Sequence, residues 1–235
     1  MDTVETIEYR GFNIDIYNDE YPESPRDWDN LGTMYYSHRD YILGDKQFDG
    51  GEAMIADLLS DFVDEDYEDE FVDDINKGIE KLQEVLPVMM LLYILDHSGI
   101  WMRTGRFMED LGGWDTSMVG FIFITREKAL KEYGWKYLTK KRIEKLRTHL
   151  GSEVETFSDY ISGAAYGFIV EPKDNNIIEC SDSCWGYFGS DWDYMISEAK
   201  SSIDWAIKEY KEKSVQEYKN RKAVEWWDEN CSVAA

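Results

Sequence analysis

VMMLLYIL, residues 88–95, is the stretch of sequence that decides the fold. Eight apolar residues are far fewer than the roughly 20 that a membrane-spanning helix needs, and they match the length of a buried β-strand. The next four residues, Asp96-His97-Ser98-Gly99, have the composition of a turn. Residues 100–107 then predict a second strand that returns antiparallel to the first. The region therefore predicts a sheet built from hairpins.

Similar patterns extend outward from this hairpin in both directions. Apolar and polar residues alternate on both sides of Arg10-Gly11, which predicts a hairpin over residues 5–17. Toward the C-terminus the patterns predict, in order, a strand at 118–125, helices at 126–133 and 140–158, a hairpin of strands 164–171 and 177–180, and an amphipathic helix from about Trp192 to beyond Tyr210.

Between Glu52 and Leu86 the apolar residues recur at steps of three and four, which predicts two helices that Pro87 ends. We therefore expect an α+β fold, in which an antiparallel sheet of hairpins packs with helices, including an acidic helix pair and a long C-terminal helix. The sequence has no linker or internal repeat, so one domain over residues 1–235 is expected, with an acidic helical region at about 52–86.

The acidic run at residues 61–74 has nine carboxylates in fourteen residues and no basic residue. A helix of that length rises about 21 Å, so its charges would stand about 2.3 Å apart, close to the spacing of about 1.7 Å in duplex DNA. Two interpretations stay open, a solvated face and a surface that imitates nucleic acid. The second predicts a partner-binding site formed by Asp61, Asp64, Glu65, Asp66, Tyr67, Glu68, Asp69, Glu70, Asp73 and Asp74.

The net charge of −24 limits which partners the chain can bind. Such a charge repels a phosphate backbone, so direct binding of DNA or RNA is not expected, whereas a basic protein or a nucleic-acid-binding complex is attracted. The N-terminus lacks the basic and apolar parts of a signal peptide, and the three cysteines are too few for a disulfide framework. A cytoplasmic protein that contacts no membrane is expected.

A second candidate site lies in the polar loop before the helices. His38 stands among Asp27, Asp29 and Asp45, a combination typical of a general base or a metal ligand, with Cys184 as a further candidate nucleophile. The alternative is that these polar groups only order the loop. The sequence has no nucleotide-binding or hydrolase motif, and no cofactor is expected. His149 is predicted to lie at the end of a basic helix.

Several blocks resemble an uncharacterised family that phages and other mobile elements encode. They are SPRDWDNLGTM at 24–34, His38-Arg39, Leu43-Gly44-Asp45, Glu153-Val154-Glu155, residues 159–163, Tyr166-Gly167 and DSCWGY at 182–187. The resemblance implies a mobile-element setting, in which small acidic proteins often block host nucleases or restriction systems. It implies no catalytic residue.

Two functional hypotheses follow from these observations. The first is a phage-type anti-defence inhibitor whose acidic surface occupies the basic groove of a host nucleic-acid-binding protein or nuclease complex. The alternative is a metal-assisted hydrolase of a nucleotide or signalling molecule, centred on Asp27, Asp29, His38 and Asp45. The sequence does not determine the oligomeric state.

Overall fold

The computed structural model describes residues 2–63, 74–108, 113–174 and 176–231. The chain forms two compact units. The inner unit runs from Glu23 to Gly163, and the outer unit combines the residues up to Pro22 with those from Ala164 onward. The names inner and outer refer to position along the sequence. One domain over residues 1–235 stays a prediction.

The inner unit is built on a five-stranded sheet with the order β4-β3-β7-β5-β6. Adjacent strands of this sheet pair antiparallel, except for β3 and the short β4, which pair parallel. The strands are β3 (Thr33–Tyr36), β4 (Lys46–Gln47), β5 (Val88–Asp96), β6 (Ile100–Arg103) and β7 (Thr116–Ile124).

Helices cover both faces of this sheet. They are α1 (Gly51–Phe62), α2 (Ile75–Val85), α3 (Arg126–Glu132) and α4 (Lys140–Ile161), and a 3₁₀ turn covers Pro25–Asp27. On one face, α1 and α2 bury Met89, Phe121 and Phe123. On the other face, α4 packs over Met90 and Leu92, among others. Successive strand residues point to opposite faces, so β5 has to be apolar at almost every position.

The outer unit has an antiparallel sheet with the order β1-β2-β8-β9. Its strands are β1 (Thr3–Tyr9), β2 (Phe12–Asn18), β8 (Ala165–Pro172) and β9 (Asp182–Phe188), and they are followed by one helix, α5 (Asp193–Cys231). Arg10 and Gly11, with φ of 51° and 86°, form the turn of the first hairpin. Phe12, Ile14 and Ile16 of β2 face the α5 residues Met195 and Ile203 in the core.

The predicted α+β architecture, with its helix pair and long C-terminal helix, is confirmed, although the strands divide between two sheets. Two local predictions were wrong. The partner of β8 is Asp182–Phe188 rather than residues 177–180, because Ile178 and Cys180 pack against the core from a loop. Helix α4 continues to Ile161, so His149 lies inside it. No helix in the described ranges is long and apolar enough to cross a membrane.

Candidate functional site

Arg26 is the centre of a buried ionic network in the inner unit. Its side chain is 7% exposed, and its Nε and Nη2 donate to the two carboxylate oxygens of Asp45 at 2.8 and 2.7 Å. Its Nη1 donates to Glu153 Oε2 at 3.2 Å, and its Nη2 also donates to the carbonyl of Gly32 at 2.8 Å. A buried charge is tolerated where it is paired and hydrogen-bonded, and Arg26 pairs with two carboxylates and donates four hydrogen bonds.

The two carboxylates of this network also hold the backbone of the loop. Glu153 Oε1 accepts from the Leu31 amide at 2.6 Å, and Glu153 Oε2 accepts from the Gly32 amide at 3.1 Å. Asp45 Oδ2 accepts from the Met34 amide at 2.7 Å. The network therefore fastens the loop to α4, which carries Glu153, and to the start of β3.

Gly32 and Gly44 belong to the sequence blocks at 24–34 and 43–45, and the packing around the network leaves no room for a side chain at either position. A Cβ at Gly32 would lie 2.7 Å from Ile122 Cδ1, and a Cβ at Gly44 would lie 2.8 Å from Met34 Cβ. The blocks at 24–34, 43–45 and 153 thus meet in one structure that orders the loop. This arrangement supports the structural interpretation of their residues.

His38 is held by the turn that follows it. Its Nδ1 accepts from the amides of Asp40 and Tyr41, both at 3.1 Å, and its ring stacks on Tyr41 with 4.9 Å between centroids. Beside it lies an open cavity of about 570 Å³, lined by Ser37, Arg39, Gln47, Phe48 and Asp49 as well as His38. A ring nitrogen that accepts from two amides is engaged in ordering the turn.

The other candidates for a hydrolase centre are placed as follows. Asp27 and Asp29 are exposed, and both oxygens of Asp45 bind Arg26. Cys184 is an exposed free thiol on β9 of the outer unit. Within the described ranges, no group of three or more His, Cys, Asp or Glu side chains could hold a metal ion. The hydrolase hypothesis stays a prediction that the contacts of Asp45 and His38 do not support.

The acidic helix pair packs against one face of the inner sheet. Asp61 is exposed in the last turn of α1, and Asp74 is the N-cap of α2, where its carboxylate accepts from the amides of Asn76 and Lys77. Asp57, on α1, pairs with Lys46. The remaining predicted partner-binding residues lie outside the described residues: Asp64, Glu65, Asp66, Tyr67, Glu68, Asp69, Glu70 and Asp73.

A groove of about 710 Å³ runs beside α2. Its lining is mixed. Ile75, Ile79, Leu91 and Phe107 are apolar, whereas Asn76, Glu80, Gln83 and Arg106 are polar or charged. Ile75 follows directly on Asp74, so the groove begins where the acidic run ends. The acidic N-cap of α2 therefore adjoins a groove that offers both apolar and polar side chains.

The opposite helical layer carries basic and aromatic side chains that the sequence analysis did not assign. Tyr133 and Trp135 stack with 4.3 Å between centroids, the Lys145 ammonium lies 4.7 Å from the Tyr133 ring, and the Arg142 guanidinium lies 5.0 Å from the Trp135 ring. Steps of three and four between Arg142, Lys145 and His149 place them on one helix face. That spacing is the signal that could have revealed the cluster.

His149 belongs to this cluster rather than to a helix end. Its Nδ1 hydrogen-bonds the Tyr133 hydroxyl at 2.9 Å, and its Nε2 lies 3.4 Å from Glu153 Oε1. Burial, and secondarily the charge of Glu132, raises the pKa of Tyr133. The contacts link the aromatic cluster to the network around Arg26.

Comparison with known proteins adds no relative from which a role could be transferred. No protein-family model, curated protein or solved structure matches this chain.

Proposed function

We propose that this chain is a protein-binding inhibitor of phage type, which places its acidic segment in the basic groove of a nucleic-acid-binding protein or nuclease complex. The segment is residues 61–74, and the described residues Asp61 and Asp74 mark its two ends. Occupation of such a groove would exclude the nucleic acid that normally binds there.

The observation that carries this proposal is the position of the two helices that flank the segment. α1 ends at Phe62 and α2 begins at Ile75, and both helices pack into one apolar cluster on the same face of the inner sheet. The two ends of the segment, Asp61 and Asp74, therefore lie at a single helical layer. The sequence between these ends has seven acidic residues at 64–73 and no basic residue.

Carboxylates on the two flanking helices have lysine partners. Asp57 on α1 is paired with Lys46, and Glu84 on α2 is paired with Lys81. Between the two helices, the sequence of residues 64–73 provides no cation to pair with its own carboxylates. Like charges at this density repel one another, and a basic groove would relieve that repulsion.

The groove beside α2 adds apolar contact area to the proposed interface. Stable interfaces combine an apolar centre with a charged rim, and charge alone mainly increases the association rate. Ile75, Ile79 and Phe107 line the groove next to Asp74. A partner bound at Asp74 would reach these apolar side chains as well.

The experiment is a competition with duplex DNA for purified nucleic-acid-binding proteins and nuclease complexes. The test variant replaces six carboxylates by their amides, namely those of Asp64, Glu65, Asp66, Glu68, Asp69 and Glu70. Asp74 is kept because it caps α2, and loss of an N-cap costs about 1 kcal/mol. Wild-type chain should displace DNA, less effectively as salt rises, and the variant should not.

A matched control removes the same amount of charge elsewhere. It neutralises six exposed carboxylates outside the segment, those of Asp2, Glu20, Glu23, Asp29, Asp49 and Glu179. This control should compete as well as the wild type does. The proposal would be overturned if the segment variant competed as well as the wild type, or if the control lost as much competition as the segment variant. Either result would show that the position of the charge is irrelevant.

A further inference from the structure

The second half of α5 projects beyond the core of the outer unit. The helix has 39 residues, which corresponds to a length of about 58 Å. Met195, Ala199 and Ile203, all in its first half, pack on the sheet. From Lys211 to Glu229 every residue except Ser214 is exposed. The part of the helix from residue 211 to 231 is called the projecting segment below.

Large apolar side chains are exposed along this segment. Val215 and Tyr218 are both 53% exposed, and Trp226 is 59% exposed. Together with Lys222, these positions follow one another at steps of three, four and four, so they lie on one face of the helix. Apolar groups of this size on one face mark a surface that binds another protein.

The charges of the projecting segment are divided along its length. Residues 211–222 contain five basic and two acidic residues, whereas residues 223–231 contain three acidic residues and no basic one. The segment as a whole is neutral, although the chain carries a net charge of −24. Two copies of the chain therefore repel each other over most of their surfaces, but not along this helix.

We infer that the chain forms a homodimer by antiparallel pairing of the projecting segments. In this orientation the basic part of each segment lies beside the acidic part of the other, and a two-fold axis relates the two contacts. Val215 and Tyr218 of one copy approach the end of the helix that carries Trp226 in the other. Parallel pairing would instead place basic beside basic and acidic beside acidic.

The first test measures the mass of the full chain by sedimentation equilibrium. The wild type should be dimeric. The variant Glu225→Lys/Asp228→Lys/Glu229→Lys gives both parts of the segment a positive charge. Its dimer dissociation constant should rise at least about tenfold, because exposed ion pairs are lost at both symmetric contacts. A variant that also carries Lys211→Glu/Lys213→Glu/Lys219→Glu, at the positions that antiparallel pairing places beside the reversed end, should regain the wild-type affinity, which excludes misfolding as the cause.

The second test uses Cys231, an exposed free thiol at the end of the segment. Antiparallel pairing centred near residue 221 separates the two Cys231 residues by about 30 Å, beyond the reach of a disulfide. Mild oxidation of a Cys184→Ser variant should therefore give no Cys231–Cys231 disulfide in the dimer. A monomeric wild type, a dimer that the charge reversal leaves unchanged, or a Cys231 disulfide would each overturn the inference.

Discussion

Arg26 and Glu153 are 127 positions apart in the chain, yet Arg26 Nη1 donates to Glu153 Oε2 at 3.2 Å, and both side chains are at least nine-tenths buried. Glu153 lies on α4, while Arg26 lies in the 3₁₀ turn that precedes β3. A single buried ion pair thus joins the helix layer to the loop that the sequence marks as a candidate site.

Arg26→Met should destabilise the chain by about 3–5 kcal/mol, because it leaves the Glu153 carboxylate buried without its cation. Urea unfolding followed by circular dichroism measures the change. Arg39→Ala is the matched control: the Arg39 side chain is 90% exposed and pairs with its neighbour Asp40, so the change should stay within about 0.5 kcal/mol. Equal effects of the two substitutions would mean that the network is not a structural element.

Ser158→Ala should cost about 1–3 kcal/mol. Ser158 is 8% exposed, and its Oγ accepts from the amide of Met102 at 2.9 Å, which joins α4 to β6. Removal of the hydroxyl leaves that buried amide without an acceptor. Thr156→Ala, two positions earlier, removes a hydroxyl that donates at the exposed helix surface to the Ser152 carbonyl, and unfolding experiments should show almost no change for it.

Asp159→Asn should stabilise the chain at neutral pH. Burial, and secondarily the charge of Glu155, raises the pKa of Asp159 above its ordinary value. The folded state then binds the proton more tightly than the unfolded state does, so the contribution of Asp159 to stability falls as the pH rises from its ordinary pKa through its raised pKa.

The advantage of Asp159→Asn over the wild type should therefore be largest at pH 7 and shrink as the pH falls toward 4. Unfolding curves recorded across this range measure it. Glu155→Gln removes only the secondary cause and should give a smaller gain with the same direction. An advantage that is independent of pH would contradict the assigned cause.

Gly120→Ala should destabilise the inner sheet by about 3 kcal/mol or more. A Cβ at this position of β7 would lie 2.0 Å from the carbonyl oxygen of Tyr35 on β3, which is backbone and can move only if the strands separate. Gly151→Ala on α4 is the control, since its Cβ meets nothing within 4 Å. Gly151→Ala should instead stabilise the chain by about 0.5–1 kcal/mol. Hydrogen exchange of the β3 amides would distinguish the two variants.

The periodicity of the sequence was sufficient to predict most of the elements. The apolar run of β5 reflects contact with helices on both faces of the sheet, and the three- and four-residue steps of α1 and α2 reflect contact with one face. Such local patterns can be read directly. β3 was missed because its four residues follow a polar loop. The prediction of a strand at 177–180 instead of β9 was wrong for another reason. Loop residues that pack on a core, such as Ile178 and Cys180, have the same apolar pattern as strand residues.

The candidate site was less predictable because its contacts connect distant parts of the chain. The sequence shows Asp27, His38 and Asp45 as neighbours, and proximity along the chain suggested a common centre. In the structure, Asp45 instead accepts a hydrogen bond from Arg26, and His38 Nδ1 accepts from the amides of its own turn. Glu153, which completes the network, is too far away in sequence for spacing to reveal its role.

The pairing of β2 with β8 has a consequence for how the chain folds during synthesis. Asn18 at the end of β2 lies opposite Tyr166 at the start of β8, so the topology is that of a hairpin whose turn has been replaced by the residues of the inner unit. The closure entropy of so long a loop delays the pairing. Prior folding of residues 23–163 shortens the effective loop. During synthesis, the pairing of β2 with β8 therefore has to wait for the last third of the polypeptide, although β1 and β2 already form their own hairpin.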